Sequence, residues 1–183
     1  MSPTTYSHNW FDVGENKPKL LFSIGLPRSG KSTLINSWLM NARPGEPRVV
    51  ISGDDFRWIL TGDVYHRPAE PQVWSMITTC IRVFLKNNYT VFFDETNTSE
   101  WSLTKIFEMD KNAAYVMVRT EPRICIERAY NTHPYPEVLE KVIRKLTENL
   151  ENLTEEKVEE IRYNVIEHEA YFKSRLEKSS SPS

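Results

Sequence analysis

Short apolar runs alternate with longer amphipathic stretches along the central part of the chain. Three runs, residues 20–24, 90–94 and 114–118, are almost wholly apolar, which is typical of strands that are covered on both faces. A fourth predicted strand covers residues 48–52. Apolar residues at helical spacing predict the remaining elements: helices at 31–41, 71–87, 99–108, 122–131, 136–150 and 155–177, and a short helix through 56–59 that stops near Gly62.

Strands that alternate with helices in this way predict a parallel sheet in a three-layer α/β sandwich. The predicted domain covers residues 19–178. It lies between a flexible tail at residues 1–18 and a disordered Ser/Pro tail at residues 179–183. Because sheets of this kind bind ligands at the carboxyl ends of their strands, we expect the functional residues to follow the predicted strands.

The composition indicates one polar globular domain. The chain has 183 residues and a net charge of −2, so any surface that attracts nucleic acid must be local. Cys80 and Cys125 are isolated, which argues against a zinc site or a disulfide framework. The apolar runs are too short to span a membrane, and the first residues carry no signal-peptide core. We therefore expect a cytoplasmic protein without a membrane partner.

A phosphate-binding loop follows the first predicted strand. Residues 25–32 read GLPRSGKS and match the motif G-x-x-x-x-G-K-[ST] between a strand and a helix. Glycines let the backbone amides form an anion nest, and the helix N-terminus adds positive potential. Lys31 is expected to reach the β- and γ-phosphates, and Ser32 to bind Mg²⁺. The motif predicts binding of ATP or another NTP by Gly25, Pro27, Arg28, Ser29, Gly30, Lys31, Ser32 and Thr33.

Charged residues follow the second and third predicted strands. A kinase needs a carboxylate that orients and deprotonates the attacking hydroxyl, and an arginine can hold an anionic acceptor. Asp94 ends the third strand, where a carboxylate that holds Mg²⁺ is expected. Taken alone, Asp54 could instead cap a short helix. The predicted acceptor side comprises Asp54 with Asp55, Arg57, Glu95 and Asn97.

Three segments together resemble the kinase domain of the phage polynucleotide 5′-hydroxyl kinase family. They are residues 24–33 (IGLPRSGKST), 54–57 (DDFR) and 94–97 (DETN). The resemblance covers about residues 20–150. It implies a P-loop NTPase sandwich with a helical lid at about 119–136 and C-terminal helices at 136–177. It also implies that Asp54 is the general base and that Arg57 contacts a phosphate of the acceptor.

The sequence departs from the family's pattern at two places. Gly53 precedes the Asp pair where the family has an arginine, and the family's D-T-N triplet reads Glu95-Thr96-Asn97. In the lid, Arg128 fits the family's first arginine and is expected to clamp the donor phosphates. Thr132 stands at the second arginine position, so the second lid arginine is either missing or supplied by Arg123 or Arg144.

These observations predict a kinase that uses ATP and Mg²⁺, with Asp54, Lys31 and Arg128 as catalytic residues and with Ser32 and Asp94 as metal ligands. The resemblance implies the 5′-hydroxyl end of DNA or RNA as the acceptor. A hydroxyl on a modified DNA base, a nucleoside or a small metabolite is the alternative. Two other classes stay open: a non-catalytic nucleotide-binding interaction module, and an ATPase that transfers phosphate to water. We interpret Trp58, Trp74 and Trp101 as packing residues.

Overall fold

The computed structural model describes residues 4–6, 19–42, 44–63 and 67–179. Its five strands are β1 (Thr4–Tyr6), β2 (Leu20–Ile24), β3 (Arg48–Ser52), β4 (Thr90–Asp94) and β5 (Ala114–Thr120). They form one sheet in the order β1-β5-β2-β4-β3. β2 pairs in parallel with β4 and with β5, and β3 pairs in parallel with β4. The predicted parallel sheet is therefore confirmed for the four strands β2 to β5.

The β1 strand was not predicted. It pairs antiparallel with β5, with Thr4 opposite Thr120 and Tyr6 opposite Val118. The prediction of a flexible tail is wrong for these three residues, because so short a polar segment has no periodicity that marks a strand. At the other end, Ser179 still belongs to the last helix. The remaining predicted tail residues, 1–3, 7–18 and 180–183, lie outside the described residues.

All seven predicted helices are present. Ser99 caps the helix that follows it, because its side chain accepts a hydrogen bond from the Ser102 amide. Within the described ranges, no helix has the length and hydropathy that a membrane crossing requires. The helices are α1 (Lys31–Met40), α2 (Gly53–Thr61), α3 (Glu70–Lys86), α4 (Glu100–Met109), α5 (Pro122–Thr132), α6 (Pro136–Glu151) and α7 (Glu155–Ser179).

Two hydrophobic cores cover the two faces of the sheet. Alternate side chains of β2 point to opposite faces, so Leu20 and Phe22 join the larger core and Leu21 joins the smaller one. The larger core also contains buried residues of α3 to α7. The smaller core is closed by Ile35 and Trp38 of α1. This arrangement confirms the three-layer sandwich and explains why the central strands are apolar on both faces.

Candidate active site

A cleft of about 1090 Å³ opens at the carboxyl ends of β2, β3 and β4. The loop after β2 forms one wall, and residues of α2, α3, α5 and α6 complete it. Gly25, Asp55 and Asn97 are not among the residues that line it. The other sequence-predicted residues meet there: Pro27, Arg28, Ser29, Gly30, Lys31, Ser32, Thr33, Asp54, Arg57, Asp94, Glu95 and Arg128.

The loop after β2 is held by the ends of the neighbouring strands. The Gly25 amide donates a hydrogen bond to the Thr96 carbonyl at 2.9 Å. A Cβ atom on Gly25 would lie only 2.7 Å from the Val118 carbonyl oxygen, so only glycine allows this close approach. The Thr120 hydroxyl donates to the Ser29 carbonyl at 2.8 Å. The shape of the loop is therefore fixed by β4 and β5.

Lys31 is buried beneath this loop. Its side chain Nζ donates hydrogen bonds to the carbonyls of Gly25 (3.1 Å) and Leu26 (2.8 Å). Burial lowers the pKa of Lys31, while the negative charges of Asp94 and Glu95 act in the opposite direction. A cation in this position, beside the N-terminus of α1, is suited to an anionic ligand in the cleft.

Arg57 lies at the centre of an ion cluster on the other side of the cleft. Its Nε and Nη2 donate to the two carboxylate oxygens of Glu70 at 2.7 and 3.2 Å. Its Nη1 donates to Asp54 Oδ1 at 2.8 Å and to Glu95 Oε2 at 2.9 Å. Burial alone would lower the pKa of Arg57, but the hydrogen bonds and charges of Glu70 and Glu95 hold it above its ordinary value. The guanidinium is thus bound by three carboxylates.

Asp94 and Glu95 follow each other at the end of β4. Burial raises the pKa of the Asp94 carboxyl, and the Lys31 ammonium opposes this shift. Burial likewise raises the pKa of Glu95, and Arg57 opposes it. Asp94 lines the cleft together with the Ser32 hydroxyl. Two oxygen donors of this kind fit Mg²⁺, which binds one or two protein ligands and completes its shell with water and phosphate oxygens.

Asn97 does not face the acceptor side, contrary to the expectation from the sequence. Its side chain is buried, and its Nδ2 donates to the Ser23 carbonyl at 2.9 Å. Its backbone has a positive φ of 49°, a conformation that asparagine tolerates better than most residues. The chain therefore turns inward after β4, and the amide joins this turn to β2.

Asn97→Ala is expected to lower the free energy of unfolding by roughly 1–3 kcal/mol, because it leaves a buried carbonyl without its donor. Urea unfolding measures the change. The matched control is Asn88→Ala, since Asn88 also has a positive φ (63°) but makes an exposed hydrogen bond with Lys19. An equal loss in both variants would contradict a special role for the buried amide.

Arg128, the arginine expected to belong to a lid, contacts the phosphate-binding loop. Its Nη1 donates to the Arg28 carbonyl at 3.0 Å. Arg144 instead pairs with Glu140 on its own helix, and neither Arg144 nor Arg123 lines the cleft. Neither of these two residues therefore stands at the position that Thr132 leaves open.

Several residues that line the cleft have no signal in the sequence that marks them as functional. Glu70 stands 13 residues after its partner Arg57 and carries no motif. Leu139, Val142 and Leu146 form an apolar wall on α6, which helical spacing alone does not distinguish from core packing. The interpretation as packing residues is wrong for Trp58, because 62% of its surface is exposed. Trp101 is 54% exposed, but its ring packs against Trp74. Trp74 is half-buried and contacts the Trp101 ring edge-on at 4.8 Å between centroids.

The sequence matches a known protein family, and the structure resembles solved structures. The model of the family AAA_33, described as an AAA domain, matches residues 20–153. A comparison with curated protein sequences finds no match. One similar solved structure is that of a Pnkp1/Rnl/Hen1 complex. The alignment covers 61% of this chain and 38% of the matched chain, with 28% sequence identity and a TM-score of 0.55.

A second similar structure is that of the Pnkp1/Rnl/Hen1 RNA repair complex. The alignment covers 78% of this chain and 49% of the matched chain, with 22% sequence identity and a TM-score of 0.61. At that identity the likeness concerns the fold. This chain spans less than half the length of both matched chains. Because the family match covers more than half of the sequence, the chain belongs to the AAA_33 family and has the P-loop kinase-like fold that its resemblance implies.

Proposed function

We propose that this chain is an ATP-dependent kinase that transfers the γ-phosphate to the 5′-hydroxyl end of DNA or RNA. The main support for this proposal is that Asp54 lines the same cleft as Lys31 and Ser32. A carboxylate that can accept a proton thus faces a loop suited to the donor phosphates. The likeness at 28% identity to a chain of the Pnkp1/Rnl/Hen1 complex supports a nucleic acid acceptor.

The donor side of the cleft has the groups that an NTP needs. The loop amides and Lys31 bind the phosphates, and Arg128 stabilises charge that develops on the transferred group. Ser32 and Asp94 would hold Mg²⁺, which when bound would supply positive charge to the transferred phosphate. The apolar wall of Leu139, Val142 and Leu146 offers a surface against which the nucleoside of the donor packs.

On the acceptor side, Asp54 orients the attacking hydroxyl and takes its proton. The hydroxyl oxygen then forms a bond to the γ-phosphorus while the bond between that phosphorus and the β,γ-bridging oxygen breaks. The products are ADP and a phosphate monoester. The side chain of Asp54 is 70% exposed, so an acceptor can reach it from solvent.

An exposed tryptophan next to Asp54 supports an acceptor that carries a nucleobase. Trp58 stands four residues after Asp54 on α2, and residues at this spacing share one face of a helix. At a rise of 1.5 Å per residue, the two positions are about 6 Å apart along the helix axis. Aromatic side chains at such positions bind nucleobases by stacking. The 5′-terminal base is therefore expected to lie on Trp58 when its hydroxyl is at Asp54.

Trp58→Ala is expected to raise the KM for a 5′-hydroxyl oligonucleotide by roughly 5- to 150-fold, which corresponds to the loss of one stacked base. The KM for ATP should stay unchanged, because Trp58 is not among the residues that line the cleft beside the phosphate-binding loop. Steady-state kinetics measure both constants. Trp101→Ala, which removes an exposed tryptophan of α4, is the matched control. Equal effects of the two substitutions would contradict a stacking role for Trp58.

The proposed reaction is tested with γ-labelled ATP, Mg²⁺ and two versions of one oligonucleotide, one with a 5′-hydroxyl and one with a 5′-phosphate. We expect label only on the first, and we expect alkaline phosphatase to remove it. A protein that binds ATP but labels neither DNA nor RNA would overturn the polynucleotide acceptor.

The ion cluster around Arg57 favours a second candidate acceptor. Asp54, Glu70 and Glu95 outnumber the single positive charge of Arg57, so this side of the cleft repels anions. An uncharged hydroxyl compound, such as a nucleoside, a small metabolite or a modified nucleobase in DNA, fits that charge. Adding such compounds to the same assay distinguishes the two candidates.

A further inference from the structure

The two positions that depart from the family's pattern are in contact with each other. Gly53 is the first residue of α2, and it is buried. A Cβ atom on Gly53 would lie 1.9 Å from Glu95 Oε2 and 3.1 Å from Arg57 Nη1. The Glu95 carboxylate therefore occupies the space that any side chain at position 53 would need. A side chain at position 53 would displace the Glu95 carboxylate from its place beside Arg57.

This contact changes what Arg57 can do. Its side chain is 12% exposed, and that of Glu95 is 15% exposed. An arginine has five N–H donors. In Arg57, four hydrogen bonds join the guanidinium to three carboxylates. These hydrogen bonds leave one N–H of Arg57, and a phosphate that approached it would meet three carboxylates around a single positive charge. The geometry is therefore suited to fixing Asp54, whose Oδ1 accepts from Arg57 Nη1 at 2.8 Å.

We infer that Arg57 is a positioning residue for Asp54 and not a phosphate contact, and that the minimal acceptor is a neutral 5′-hydroxyl nucleoside. This inference rests on the proposed function. It differs from what the resemblance implies, because recognition would depend on the hydroxyl and the base of the first nucleoside, and a phosphate on its 3′ side would add little. The enzyme would then accept nucleosides as well as nucleic acid ends.

The direct test compares kcat/KM for thymidine and for thymidine 3′-monophosphate in the unmodified chain, with a 5′-hydroxyl oligonucleotide alongside. We expect values for the first two that agree within about threefold, since no charge-assisted phosphate contact is made. A preference of about tenfold or more for the 3′-monophosphate, equivalent to one such contact, would overturn the inference. So would labelling of the oligonucleotide without labelling of thymidine, although the proposed function would stand. If no acceptor is labelled, the proposed function itself fails.

Arg57→Gln separates positioning from phosphate binding. If Arg57 positions Asp54, kcat falls by the same factor with both acceptors, and the ratio of their KM values is unchanged. If Arg57 binds phosphate, the KM for thymidine 3′-monophosphate rises alone, which would overturn the inference. Circular dichroism confirms that the variant is folded before the kinetics are interpreted.

Glu95→Gln and Gly53→Ala test the contact between the two positions. Both are expected to release Arg57 from Glu95, the first by removing the charge and the second by displacing the carboxylate. Each should raise the preference for the 3′-monophosphate by roughly tenfold, as one freed charge-assisted contact allows. Glu100→Gln, an exposed acid of α4 outside the cleft, is the control. An unchanged preference in Glu95→Gln would count against the inference even if Gly53→Ala does not fold.

Discussion

Asp54→Asn is expected to lower kcat for phosphoryl transfer by roughly 10²- to 10⁴-fold, the usual contribution of a general base. Asparagine has the same size, and its side-chain oxygen can still accept the hydrogen bond from Arg57 Nη1 that Asp54 accepts now. It cannot take a proton from the attacking hydroxyl. Because the residue is exposed on the acceptor side, the Kd for ATP should not change.

Single-turnover transfer and equilibrium binding of a fluorescent ATP analogue measure the two quantities separately. Asp55→Asn is the matched control, since Asp55 is the next residue of the same helix and does not line the cleft. An equal loss of kcat in both variants would mean that activity depends on the negative charge at the start of α2 and not on a general base at Asp54. Full activity in Asp54→Asn would remove Asp54 from the mechanism.

Lys31→Met is expected to lower kcat/KM for ATP by roughly 10²- to 10³-fold, as removal of a preorganised donor to a charged transition state typically does. Methionine fills the same buried space without the ammonium. The substitution leaves the carbonyls of Gly25 and Leu26 without the donor that they have now. It also relieves the burial of a charge, so a large loss of stability is not expected.

The effect of Lys31→Met is measured as kcat, KM and the Kd for ATP, together with thermal unfolding. Lys105→Met is the control, because Lys105 lies on α4 with its side chain 43% exposed and pairs with Glu108. If Lys31→Met binds and transfers phosphate as well as Lys105→Met does, the loop is not the donor site.

The parts that could be predicted from the sequence depend on local pattern. Three of the four parallel strands are almost wholly apolar runs, and the phosphate-binding loop is a motif of eight residues that a strand precedes and a helix follows. The position of Asp94 in the cleft could be predicted because it is the last residue of an apolar strand. A strand of three residues such as β1 has no such pattern, and its pairing with β5 spans more than a hundred positions.

The parts that could not be predicted depend on contacts between distant residues. Gly53 and Glu95 are visible in the sequence as two separate departures from a pattern, and only the structure brings them together. Glu70 has no local signal, because its partner Arg57 lies on a different helix. Asn97 follows a strand end as a ligand would, yet the direction of the next turn buries it. Trp58 has the residue type of the core but the exposure of a binding surface.

Transfer of phosphate from ATP to a hydroxyl acceptor in this cleft can be measured through ADP production. ADP and labelled oligonucleotide are quantified in the same reaction with γ-labelled ATP and Mg²⁺, in the presence and absence of a 5′-hydroxyl oligonucleotide. We expect ADP to form with the acceptor, in equal amount to the labelled end, and little to form without it. ADP that forms equally well without the acceptor would indicate an ATPase, and ATP that is bound but never consumed would indicate an interaction module. Either result would rule out the proposed kinase.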